Sequence, residues 1–143
     1  MPTWIIIDER RIISNTTFAC DSKRAREAEP MRFLCRSKIQ GATVTQAESE
    51  QSGCIVVDED LMDRADLYPG EKVLVASHTT GQRLETYIVG GARGSGLVAL
   101  NGAAAQKIKA GEVVDVLGFE TSNEVIDLMI VCVDKNNKYA RML

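Results

Sequence analysis

Apolar positions fall into short runs, none near the roughly 18 residues that span a membrane, and glycine, proline or a charged cluster closes each run. Trp4–Ile7 and the run from Ile12-Ile13 onward flank Asp8-Glu9-Arg10-Arg11 and read as the arms of a hairpin over residues 4–18. Asp21 to Pro30, charged and alanine-rich, reads as a linker or a short exposed helix. The composition changes at Met31. From there to Ile39 a strand would carry Leu34, Arg36 and Lys38 on one face and Phe33, Cys35, Ser37 and Ile39 on the other. Gly41 is expected to break that strand, and Thr43-Val44-Thr45 to form a brief second one. Cys54–Val57 is almost wholly apolar, which predicts a strand buried on both faces. Asp58-Glu59-Asp60, followed by Leu61-Met62 and Ala65 at helical spacing, predicts a short capped helix.

Further on, Tyr68-Pro69-Gly70-Glu71 has the residues of a turn, and His78-Thr79-Thr80-Gly81 turns a strand over Lys72–Ser77 back on one over Gln82–Val89. A glycine-rich loop, Gly90 to Gly96, leads to a strand at Leu97–Leu100. Asn101-Gly102 then opens a small helix, Ala103–Ile108, and Ala110-Gly111-Glu112 turns into a strand at Val113–Leu117. Glu124–Val133 is a last apolar run, closed by the polar stretch Asp134–Lys138 and expected to lie across a neighbouring subunit. Tyr68-Pro69-Gly70-Glu71-Lys72-Val73 is echoed by Lys109-Ala110-Gly111-Glu112-Val113-Val114, each copy following a short helix and starting a strand. Two like halves would produce such an echo. With about seven short strands and two one-turn helices, the pattern indicates a mainly β fold, a small barrel.

The 143 residues suit one domain. We read residues 1–30 as an N-terminal extension and 31–143 as the barrel domain. A net charge of −3, scattered basic residues and few aromatics exclude a nucleic-acid surface. Met1-Pro2-Thr3-Trp4 lacks the features of a signal peptide, so a cytoplasmic location is expected. Cys20, Cys35, Cys54 and Cys132 form no C-x-x-C pair, and the single His78 completes no ligand set, so no metal is expected. Cys20, Cys35 and Cys132 read as small buried hydrophobes.

Cys54 differs in what precedes it. In Gln51-Ser52-Gly53-Cys54 a nucleophile follows a glycine at the mouth of a β-branched run. Glycine permits a strained backbone, and the next thiol lies close to the carbonyl it would attack. An N→S acyl shift would give a thioester, elimination would give dehydroalanine, and hydrolysis would leave a new chain with a pyruvoyl end.

Lys38, Gly53, Asp58-x-Asp60, Gly81-x-Arg83, Thr86-Tyr87, Arg93-Gly94-Ser95 and Asn101-Gly102-Ala103-Ala104-Ala105, in that order, resemble the pyruvoyl-dependent aspartate 1-decarboxylases over residues 31–121. The resemblance implies a double-psi β-barrel assembled as a homotetramer. It implies that the bond after Gly53 is cut by the protein itself and that Cys54 becomes the pyruvoyl group, the electron sink for decarboxylating aspartate to β-alanine. Lys38 and Arg83 would grip substrate carboxylate, a point charge beside a planar fork. Tyr87 would donate the proton and Thr86 would aid self-cleavage. Asn101, Gly102, Ala103 and Ala104 would cradle the group and the substrate. Alternation puts Arg83, Glu85 and Tyr87 on one strand face, so Arg83 and Tyr87 are expected to look into one site. Thr86 points the other way unless a bulge intervenes. Asn101 also suits an N-cap of the following helix.

The chain departs from the family at several places. Cys54 replaces serine, Gln51-Ser52 replace tyrosine and an acidic or small residue, Gln40 replaces a frequent histidine, and the tail lacks Trp-Arg-Pro. The alternative reading is therefore an uncleaved relative using Cys54 as a free thiol and Tyr87 as an acid, reacting with or binding another acidic metabolite. A maturation factor is a further candidate partner. Because the resemblance begins at Met31, that methionine is a candidate start.

Overall fold

The computed structural model describes residues 30–143. The hairpin expected over residues 4–18, residues 21–29 of the expected linker, and Cys20 lie outside the described residues. In chain order the elements are β1 (Arg32–Thr43), β2 (Gln46–Glu48), β3 (Cys54–Asp58), α1 (Glu59–Arg64), β4 (Lys72–Ser77) and β5 (Arg83–Gly91). They continue with β6 (Val98–Asn101), α2 (Ala104–Lys107), β7 (Val113–Ser122), β8 (Met129–Val133) and β9 (Tyr139–Met142). Neither helix is long enough to cross a membrane.

The strands pair in the order β9-β8-β1-β7-β4-β5-β3-β6-β2. That order forces closure. β1 and β2 stand six strand spacings apart, about 29 Å in a flat sheet. Only Val44 and Thr45 separate them in sequence, a reach of about 10 Å. The sheet therefore curls until β2 lies near the end of β1, and the Thr45 N–H donates to the Val98 carbonyl at 2.7 Å there. Alternating residues of the strands fill the interior: Ile39, Ile55, Val57, Val73, Val75, Ile88, Val98, Leu100, Val114 and Val116 are buried, with Leu61 and Met62 of α1 and Ile108 after α2. Each such side chain contributes about 2 kcal/mol of burial.

The sequence echo is a structural repeat. Gly70 N–H donates to the Ile88 carbonyl at 2.7 Å, and Ile88 N–H returns a bond to the Glu71 carbonyl at 3.0 Å. In the other half Gly111 N–H donates to the Val44 carbonyl at 2.8 Å, and Val44 N–H returns to the Glu112 carbonyl at 2.9 Å. In both turns the glutamate carboxylate accepts the N–H three residues back, from Tyr68 and from Lys109, each at 2.9 Å. Gly70 and Gly111 sit at φ +88° and +94°, where a side chain would be strained. Two interlocked halves with this bonding make the double-psi β-barrel.

Three expectations change. Gly41 does not end β1; it bends through φ +82° inside one continuous strand while its N–H bonds to the Asp115 carboxylate at 3.0 Å. The tail folds onto its own barrel: β8 runs parallel to β1 from Ser37↔Met129 to Gln40↔Cys132, and β9 returns beside it. Asn137, buried at φ +60° in the turn between them, exchanges bonds with Thr43 and donates to the Gly96 carbonyl. These bonds pin the hairpin to the barrel. The third change concerns the conformation of Gly53 and belongs to the site.

Candidate active site

β3 lies between β5, parallel to it, and β6, antiparallel, so its first residue Cys54 sits opposite the last residue of β6, Asn101. Cys54 is buried, 7% exposed, and the Asn101 side-chain amide points at its sulfur across 3.8 Å. Asn101 does not cap the following helix. The residue in that position is Ala103, which makes no side-chain cap bond.

Gly102 explains why the loop is built so. It has φ +70°, and a Cβ placed on it would come 2.5 Å from the Gly53 Cα and 2.8 Å from the Gly53 nitrogen. Its backbone therefore packs directly on that of Gly53. Gly53 itself is outside the left-handed region, and a Cβ there would meet nothing nearer than the Asn101 carbonyl at 3.9 Å. The left-handed conformation that demands glycine is at 102 and not at 53. A cleft of about 200 Å³ opens beside Gly53, lined by Leu84, Glu85, Thr86, Ala103, Ala104 and Lys107. Cys54, Gly53, Asn101, Gly102, Thr86, Ala103 and Ala104 are thus brought together.

Lys38, Arg83 and Tyr87 are placed elsewhere. β5 pairs with β4 without a slip from Tyr87↔Lys72 to Arg83↔Ala76, so no bulge turns Thr86. Thr86 reaches the cleft from the half-buried face of β5, and Arg83 and Tyr87 project from the exposed face. On that outer face Ala76 stands between Arg83 of β5 and Asp115 of β7. Asp115 carries Lys38 Nζ on one oxygen at 3.1 Å and His78 Nε2 on the other at 2.8 Å. Burial opposes the charge on Asp115, yet the bonds from His78, the Gly41 N–H and Lys38 outweigh it and hold its pKa below the usual carboxylate range. Lys38, Asp115 and Arg83 so form one charged strip across four neighbouring strands.

The remaining motif residues build the scaffold. Asp58 caps α1 and accepts N–H bonds from Asp60, Gly94 and Gly96 at 2.9, 3.0 and 2.8 Å. Burial opposes its ionisation, and the bonds from Gly96, Asp60 and Gly94 still bring its pKa down. Arg93 ties the same helix through Glu59, Asp60 and Asp63. Sequence reasoning missed Lys107, which carried no local signal. It also missed Asp115, a carboxylate inside an apolar strand whose placement was itself the signal.

A barrel of two interlocked halves, with a glycine–cysteine junction pressed beneath a second glycine and a charged strip on the outer face, defines a class of small β-barrel proteins. Residues 31–140 match the aspartate decarboxylase family, and the chain belongs to it. It is 42% identical over 111 residues to the aspartate 1-decarboxylase of Neisseria meningitidis serogroup C, covering 75% of this chain and 87% of that protein. Among solved structures, that of the rationally designed mkDPBB_sym_86 protein matches with a TM-score of 0.44 and 16% identity, over 57% of this chain and 95% of that one.

Proposed function

We propose that the chain is a pyruvoyl-dependent carboxy-lyase that decarboxylates aspartate or a close acidic amino acid, after cutting its own backbone between Gly53 and Cys54. The observation that carries this reading is the junction: Gly102 packed on Gly53, the Asn101 amide at the Cys54 sulfur, and an open cleft beside the bond. In the self-cleavage the Cys54 sulfur bonds to the Gly53 carbonyl carbon as the C–N bond breaks, and the thiol proton passes to the freed nitrogen. Loss of the Cys54 Cα proton then breaks Cβ–S and expels Gly53 as a thiocarboxylate. The dehydroalanine left behind takes up water, releases ammonia and ends as a ketoacyl terminus.

The residues fit such a group, because it would be made from Cys54's own atoms beside side chains no larger than methyl at Ala103 and Ala104. Once formed it supplies an electron sink for loss of carbon dioxide. Lys38 and Arg83 hold the substrate carboxylates, and the Tyr87 hydroxyl donates a proton to the carbon whose carboxylate has left as carbon dioxide. Lys38, Arg83 and Tyr87 do not line the cleft of their own copy, so the reading joins the cleft of one copy to the strip of another in a homotetramer. Phe33, 72% exposed and stacked on Phe119 at 5.1 Å, gives that outer face the apolar area for such a contact. The alternative, Cys54 as a free thiol acting on a second molecule, is served less well by a sulfur so buried.

The test is release of labelled carbon dioxide from aspartate carrying the label in its α-carboxylate. Release that stops after borohydride treatment in the presence of substrate supports the reading; no release, with no borohydride-sensitive carbonyl, contradicts it.

A further inference from the structure

We propose that Asp115 and His78 are positioning residues that set how strongly Lys38 holds a substrate carboxylate. Asp115 keeps Lys38 as its own partner, and protonation of His78 commits that carboxylate to the histidine and frees the lysine's charge. This rests on the reading of Lys38 as a substrate-gripping cation.

Three groups converge on the Asp115 carboxylate, which is 9% exposed: the Gly41 N–H and His78 Nε2 on Oδ1, and Lys38 Nζ on Oδ2. β7 would normally place that side chain on the outer face of the sheet. The small Ala76 beside it, with Lys38 from β1 and His78 from the turn after β4 bonded to its oxygens, accounts for its burial. With His78 neutral, the strip's first half holds one cation and one anion, so an incoming carboxylate meets a lysine whose charge is already balanced 3.1 Å away. With His78 protonated, Lys38, His78 and Asp115 together carry one net positive charge. Histidine is the side chain that makes this change in the neutral range.

The other charged groups nearby do not compete. Arg83, across Ala76, adds constant positive charge on the same face. Glu112, beneath the turn that carries His78, is engaged by the Ser77 and Thr80 hydroxyls and by the Lys109 N–H. Gln40, two residues after Lys38, is neutral and points to the Cys132 sulfur.

Succinate is a suitable probe, since it has the carboxylates of the proposed substrate but no amine to react. Its binding to the full chain is measured by calorimetry at about pH 6 and about pH 8. At the lower pH the native chain should bind it about tenfold more tightly than His78→Gln, and at the higher pH the two should agree within about twofold. Asp115→Asn should bind tightly at both, and Lys38→Gln weakly at both. Comparing proteins at one pH cancels the ligand's own titration. If His78→Gln follows the native chain at both pH values while Lys38→Gln is weakened, the inference falls and the reading of Lys38 stands. If Lys38→Gln binds like the native chain, that reading falls and takes the inference with it. Should Asp115→Asn fail to fold, His78→Gln, altered in an exposed turn, decides alone.

Discussion

The cleft beside Gly53 and the strip of Lys38, Asp115 and Arg83 are built by opposite means. At the Gly53–Cys54 junction the contacts are backbone and small groups, a glycine pressed on a glycine, two alanines and one amide on a sulfur, with Glu85 and Lys107 in the cleft wall beside them. In the strip everything is charge, fixed by strand register and by one shared carboxylate. The difference suits two tasks. Breaking a bond within the chain depends on sub-ångström placement, whereas catching a diffusing anion depends on net charge. Substitutions should therefore separate the two, with cleft variants failing to cleave and strip variants cleaving but binding poorly.

The largest effect is expected at Gly102. Gly102→Ala drives a methyl into Gly53, and a shift of that size should slow self-cleavage by about 100-fold or more, read as uncleaved chain on a denaturing gel. Equal cleavage in this variant would break the comparison at its centre. Asp58 tests the scaffold that both regions share. Asp58→Ala leaves three N–H groups without their acceptor and should cost about 3 kcal/mol in chemical denaturation. Because the folded state lowers the Asp58 pKa, its contribution is present above the unfolded carboxylate value. It is lost as pH falls through the folded one, so the gap between native and variant should close on the acid side. Arg83→Ala should raise KM for aspartate about tenfold and leave cleavage at the native rate, which kinetics and mass measurement together would check. Asn101→Ala, removing one long bond to sulfur, should slow cleavage only several-fold, in the range of a single neutral hydrogen bond.

Much of the scaffold was legible beforehand because its signals are local. Asp58 before an apolar helix, glycine in the two equivalent turns, and the β-branched run after Cys54 each act through neighbours in sequence, and each sits where expected. Gly41 misled because a positive φ can bend a strand without ending it, provided that its N–H finds another acceptor. The tail misled because its docking depends on Asn137 meeting Thr43 and Gly96, partners far away in sequence. For the site, alternation placed Arg83 and Tyr87 on one face and Thr86 on the other, as observed, but it could not say that the cleft would take in Thr86 and leave Arg83 and Tyr87 outside. Nor could it show that Gly102 bears the conformational demand expected of Gly53, since that follows from the packing of two loops.

The most direct test is the intact mass of the purified chain after long incubation. We predict two species, residues 1–53 and 54–143, the second with a ketoacyl start and the first heavier than a plain carboxylate end by the difference between sulfur and oxygen. One undivided mass for all 143 residues would contradict the account.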